Sequence, residues 1–172
     1  STTAADGDLT LRSSGNIIAA ANARLDTRGG DLTLWADTNA NGGYILLNKD
    51  VTLDSRTQAD RNANRTTTAS GGGAITLGGG VDLATGYARS TETNNIGGIN
   101  LGYQVADVTS ITNVLSGGGD IVMRGTSSSD IMGINWVNGG QINAGTGTIT
   151  MVGINTGATG HGMELGSWQR PN

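Results

Sequence analysis

Apolar and polar residues alternate along this chain in short bursts, and a glycine introduces each burst. The phrase reads Gly7-Asp8-Leu9-Thr10-Leu11, Gly30-Asp31-Leu32-Thr33-Leu34, Gly43-Tyr44-Ile45-Leu46-Leu47, Gly73-Ala74-Ile75-Thr76-Leu77, Gly119-Asp120-Ile121-Val122-Met123 and Gly147-Thr148-Ile149-Thr150-Met151. A shortened copy sits at Gly98-Ile99-Asn100-Leu101. Period-two alternation places Leu9 and Leu11, or Ile149 and Met151, on one face of a strand, with Thr10 or Thr150 on the other. The first apolar residues of successive phrases are separated by 23, 13, 30, 24, 22 and 28 residues. That spacing belongs to a solenoid, in which each repeat buries its apolar face only against its neighbours.

Most phrases are followed by a second, shorter alternation, as at Leu25-Asp26-Thr27, Val51-Thr52-Leu53, Val81-Asp82-Leu83 and Ile142-Asn143-Ala144. A coil therefore reads as strand, tight glycine turn, strand and polar loop. Helices have little support, because Gly, Asn and Thr interrupt every window of helical periodicity and each glycine costs a helix about 1 kcal/mol relative to Ala. The expectation is an all-β chain, a parallel β-helix (β-solenoid) of about seven coils with loop insertions. Seven rungs at about 4.8 Å make a rod roughly 35 Å long. Residues 1–156 form the repeat domain. Residues 157–172 drop the phrase and form a tail, cap or inter-subunit docking segment.

Composition sharpens this reading. Of 172 residues, 35% are hydrophobic and 3% aromatic, and Phe is absent. An ordinary globular interior would be starved of large side chains, whereas aliphatic residues stacked coil over coil fill a narrow column. Charged residues are only 14% and the aliphatics are periodic, unlike a disordered polyampholyte. The absence of cysteine rules out a disulfide framework. A net charge of −4 with Lys49 as the single lysine gives no basic stripe for nucleic acid. No apolar run is long enough for a membrane span, and no signal peptide opens the chain. A start at Ser1 without methionine suggests a processed or excised piece of a longer protein.

The excess length of the longer coils goes into excursions from Asp54 to Gly72, Tyr87 to Asn95 and Thr126 to Asp130. Recognition on a solenoid concentrates in such loops, which makes Arg56, Arg61, Arg65 and Thr66 candidate recognition residues. Asn64-Arg65-Thr66 also fits an N-glycosylation acceptor. Asp8, Asp31 and Asp120 share one repeat position, but the calcium nonapeptide needs tandem nine-residue copies and only Gly78-Gly79-Gly80-Val81-Asp82-Leu83 approximates one. Capping of turns by these carboxylates is the expectation. Catalysis needs two carboxylates converging on one bond. Asp26 with Asp31, or Asp50 with Asp54, are the pairs able to meet on neighbouring edges. The single histidine, His161 between two glycines, reads as an exposed turn residue.

The last segment brings together Met163, Leu165, Trp168 and Pro171, the only proline. An open solenoid end shows unpaired backbone groups and an apolar cross-section, so these four residues are candidates for docking onto a neighbouring subunit.

The Gly-Gly-Asp-Leu-Thr-Leu phrase, alternating with segments such as Gly139-Gly140-Gln141-Ile142-Asn143-Ala144-Gly145-Thr146-Gly147, resembles the haemagglutinin-type β-helix of filamentous haemagglutinin-like exoproteins. The resemblance runs from about Asp6 to Met151. It implies a right-handed parallel β-helix, export by the two-partner or autotransporter route, and a place at the bacterial surface or outside the cell. The expected function is a structural, non-catalytic segment or subunit of an extracellular filament or adhesin. Its expected partners are copies of itself stacked head to tail or further coils of a longer β-helix, with glycans or surface receptors as other partners. No cofactor and no metal is expected. The competing readings are a non-polymerising adhesin fragment and a polysaccharide-degrading β-helix enzyme.

Overall fold

The computed structural model describes residues 7–92, 96–103, 110–137 and 139–166. Its strands form three parallel sheets. Sheet A holds β1 (Leu9–Arg12), β4 (Leu32–Ala36), β7 (Ile75–Gly79), β11 (Ile121–Ser127) and β14 (Ile149–Asn155), with the short β8 (Ala88–Ser90) beside the far half of β11. Sheet B orders β2 (Ile17–Ala19), β5 (Ile45–Asn48), β9 (Ile99–Tyr103), β12 (Ile134–Val137) and β15 (Met163–Gly166). Sheet C orders β3 (Arg24–Asp26), β6 (Thr52–Asp54), β10 (Ile111–Leu115) and β13 (Gly139–Asn143). The chain visits A, B and C in that cyclic order, as a β-solenoid does.

The count of phrases is not the count of windings. Five of the seven phrases are rungs of sheet A, while the phrases at Ile45 and Ile99 open strands of sheet B. Among the described residues, sheets A and B each carry five rungs, which at the same spacing stack to roughly 24 Å rather than 35 Å. The glycine-then-alternation signal serves two corners of the winding, so sequence alone overcounts.

Inside, like residues stack in register. In sheet A, Leu9, Leu32, Ile75, Ile121 and Ile149 form one ladder, and Leu11, Leu34, Leu77, Met123 and Met151 the next. Sheet B contributes Ile17, Ile45, Ile99, Ile134 and Met163. Sheet C contributes Leu25, Leu53, Val114 and Ile142. The middle members Leu34, Leu77, Ile99 and Ile121 are fully buried, each stabilising the fold by about 1.5–3 kcal/mol. That is how a core without Phe stays dry.

Glycine at the head of each sheet A phrase answers to stacking. A Cβ at Gly73 would lie 2.2 Å from the backbone of Gly30, and one at Gly119 would lie 2.3 Å from Gly73. Backbone meets backbone at this corner, so no side chain fits and nothing flexible is there to yield. Gly73→Ala is therefore expected to cost about 1–3 kcal/mol through forced separation of two windings. A urea denaturation curve shifted to a lower midpoint with unchanged slope checks it.

The corner from sheet C back to sheet A repeats as well. The Thr27 hydroxyl donates to the Gly30 carbonyl, Ser55 to Gly73 (2.6 Å) and Ser116 to Gly119. All three hydroxyl residues are buried, and each bond satisfies the carbonyl of the glycine that begins the next sheet A rung. Among the described residues one helix interrupts the pattern: α1 (Gln58–Asn62), in the longest excursion. Thr57 caps it, its hydroxyl accepting from the Asp60 N–H at 3.1 Å and donating to the Asp60 carboxylate at 3.0 Å. Among the described residues, no helix is long and apolar enough to cross a membrane.

Candidate functional site

Three features carry the candidate chemistry: the repeated aspartates, the long excursion and the two ends. The aspartates act between windings. The Asp8 carboxylate accepts the Asp31 N–H at 2.8 Å, Asp31 accepts the Ala74 N–H at 2.7 Å, and Asp120 accepts the Thr148 N–H and hydroxyl at 2.9 and 2.8 Å. The two Thr148 hydrogen bonds, backbone then side chain, hold the Asp120 carboxyl below its ordinary range. Each carboxylate thus staples one rung to the next. Asp31→Ala is expected to remove one exposed, charge-assisted bond at a cost of about 1 kcal/mol, seen as a small drop in thermal midpoint.

The long excursion is held by an ion cluster centred on a buried carboxylate. Register places Asp26 directly over Asp54 on adjacent rungs of sheet C, a like-charge stack that requires neutralisation. Three guanidinium groups supply it. Asp54, fully buried, accepts from Arg56 Nε at 2.9 Å and Nη2 at 2.8 Å, from the Arg56 N–H at 3.1 Å and from Arg24 Nη2 at 2.8 Å. Asp26 accepts from Arg24 Nε at 2.7 Å and pairs with Arg61 Nη1 at 3.0 Å. Arg61 also donates to the Arg56 carbonyl, and Arg56 to the Arg65 carbonyl at 2.7 Å. Burial pushes the Asp54 carboxyl up, but the Arg56 hydrogen bonds and the Arg61 charge outweigh it and hold it below the usual carboxylate range.

The four loop candidates divide accordingly. Arg56 and Arg61 turn inward and are spent on Asp54 and Asp26. Arg65 keeps 55% of its side chain exposed and reaches Asp60 at 3.4 Å, while Thr66 is half-buried. Asn64 is exposed beside them. The carboxylates singled out as catalytic pairs take other partners: Asp31 the Ala74 N–H, and Asp50 the Ile111 N–H at 2.8 Å. The stack that does form, Asp26 over Asp54, was written in the sequence as Leu25-Asp26-Thr27-Arg28 and Leu53-Asp54-Ser55-Arg56. Those near-copies were the overlooked signal.

The ends differ from the middle of the rod. At one end Leu11 is 37% exposed; at the other Ile149 is 47%, Met163 41% and Leu165 53% exposed. Their ladder partners Leu34, Ile121 and Ile134 are fully buried. Met163 and Leu165 belong to β15, which pairs in parallel with β12, Met163 beside Ile134 and Leu165 beside Trp136. The segment after residue 156 thus carries a fifth rung of sheet B and continues the winding. Gly162-Met163-Glu164-Leu165 is a further copy of the short phrase, parallel to Gly98-Ile99-Asn100-Leu101. Trp168 and Pro171 lie outside the described residues. His161 is exposed.

No protein family, curated protein or solved structure matches this chain.

Proposed function

We propose that the chain is a structural, non-catalytic segment or subunit of a bacterial extracellular filament or adhesin, stacked end to end through its open ends. The observation that carries this reading is the contrast along one ladder in sheet A and one in sheet B: Ile121 and Ile134 are fully buried mid-rod, while their last-rung partners Ile149 and Met163 are 47% and 41% exposed. Covering those rungs with another winding, from a second copy or from further coils of a longer polypeptide, continues both the apolar column and the backbone ladder. A right-handed winding is part of the proposal, because parallel strand crossovers are right-handed in about 98% of cases.

The non-catalytic reading draws support from the carboxylates. The stacked pair Asp26 and Asp54 is occupied by arginines, and the repeat aspartates cap backbone N–H groups. A general acid or base needs an available oxygen near the bond it serves. The resemblance to filamentous haemagglutinin-like exoproteins is the ground for placing it at the cell surface or outside the cell.

Sedimentation velocity across a concentration series tests the stacking. The expected result is a weight-average coefficient that rises with concentration, and Leu165→Lys is expected to suppress the rise while leaving the melting temperature within a few degrees. A coefficient independent of concentration for the unmodified chain overturns the reading.

A further inference from the structure

The outer face of sheet A carries a groove of about 510 Å³ lined by Trp35, Thr76, Asp82, Leu83, Ala84, Val122 and Arg124, a volume within the range of small-ligand sites. Its construction follows from register. Trp35 on β4 stands beside Gly78 on β7, and Leu83 of the following excursion fills the place a side chain would take there, its Cδ1 3.2 Å from where a Gly78 Cβ would stand. The chain then leaves sheet A after Gly79 and returns at Ala88, and the excursion between forms one wall. The indole is fixed: its N–H donates to the Gly80 carbonyl at 2.7 Å, and the Arg12 guanidinium lies 4.2 Å from the ring centroid. Trp35 lines the groove together with Leu83 and Ala84, and these three make its apolar side. Asp82 is held by its own turn, accepting from the Ala84 N–H at 3.0 Å and the Thr85 hydroxyl at 2.9 Å. The Arg124 side chain makes no hydrogen bond or ion pair with another described residue, its backbone pairing opposite Val152 in the ladder of sheet A.

We infer that this groove binds a carboxylated saccharide. The fixed indole, with Leu83 and Ala84, offers an apolar surface to the C–H face of a pyranose ring. Thr76 and the remaining acceptor capacity of Asp82 suit sugar hydroxyls. The free Arg124 fork matches a carboxylate in bidentate geometry. Asp82 sets the charge complementarity: it repels a ligand that packs several charges into the groove, such as a polyphosphate, and tolerates an acidic saccharide of which one uronate enters the groove and is answered by Arg124. This site is independent of the end-to-end stacking.

Titration calorimetry with trigalacturonate and with a hyaluronan tetrasaccharide tests it, using the fully methyl-esterified trigalacturonate as the uncharged control. Saturable binding of at least one acidic oligosaccharide is expected, weakened about tenfold or more by esterification and by Arg124→Gln, the loss expected for one charged hydrogen-bonded contact. Trp35→Leu is expected to abolish binding. Arg65→Gln, in the long excursion, is expected to leave it unchanged. Arg124→Gln touches no described partner, so an unchanged melting temperature separates lost binding from lost fold. Absence of saturable binding by both acidic saccharides overturns the inference. So does equal affinity for the ester, undiminished binding by folded Arg124→Gln, or tighter binding of a triglutamate peptide.

Discussion

Asp54→Asn is expected to lower the melting temperature by roughly 6–20 °C at pH 7, from about 3–5 kcal/mol for breaking a buried ion pair and about 2–4 °C per kcal/mol in a chain of this size. The cost is high because one carboxylate serves three arginines. Without it, the buried Arg56 and the largely buried Arg61 retain their charge in a desolvated pocket, answered only by the more distant charges of Asp26 and, for Arg56, Asp60. The excursion around α1 then loses its anchor to sheet C. The pH dependence has a defined sign. An unfolded aspartate takes up its proton near pH 4, whereas the folded Asp54 carboxyl titrates lower. The stabilisation is therefore complete above the unfolded value and is lost as pH falls from about 4 through the folded value. Asp60 acts in the same direction: burial pushes its carboxyl up, but hydrogen bonds from Thr57, Ser70 and Arg65 bring it below the ordinary range. A plot of melting temperature against pH should fall steeply below pH 4 for the parent and less steeply for Asp54→Asn.

Leu77→Ala is the second large effect, expected at about 2–5 kcal/mol. Leu77 is fully buried between Leu34 and Met123, its register partners on neighbouring rungs. Parallel backbone ladders on both sides fix the rung spacing, so the windings have little freedom to collapse into the void. Leu11→Ala removes the same atoms from the same ladder at an exposed end rung, and about 1 kcal/mol or less is expected there. Chemical denaturation of both variants measures the ratio. Equal losses would mean that the ladder is not the element that holds the rod together.

Much of this fold was legible before any coordinates. The spacing of Leu32 with Leu34, or Ile75 with Leu77, gave the inward face of sheet A, and the missing phenylalanine pointed to stacked aliphatics. The winding was harder to read, because Gly43-Tyr44-Ile45 and Gly73-Ala74-Ile75 look alike in sequence while turning different corners. Gly162-Met163-Glu164-Leu165 was passed over since Trp168 and Pro171 made the tail look foreign to the repeat. The ion cluster escaped for a different reason: its carboxylates come from consecutive windings and Arg61 comes from the excursion, so only register brings them together. Loop arginines read as outward-facing by default, and the stack of fully buried Asp54 on partly exposed Asp26 is the physical reason that two of them turn inward. The groove beside Trp35 was invisible for the same cause, since Gly78 and Arg124 meet it only across rungs.

The most direct test of end-to-end stacking is a pair of cysteines in a chain that has none. Thr10 and Thr150 lie on the exposed outer face of the first and last rungs of sheet A, on the ladder that runs through Thr33, Thr76 and Val122. In a head-to-tail stack, Thr150 of one copy comes to about one rung spacing, roughly 4.8 Å, from Thr10 of the next, within disulfide range. Mild oxidation of the Thr10→Cys/Thr150→Cys variant should give a ladder of covalent oligomers on non-reducing gels, with each single variant stopping at dimers. A double variant that stays monomeric or stops at dimers under conditions where Thr33→Cys/Thr76→Cys closes its intramolecular bridge would contradict the account.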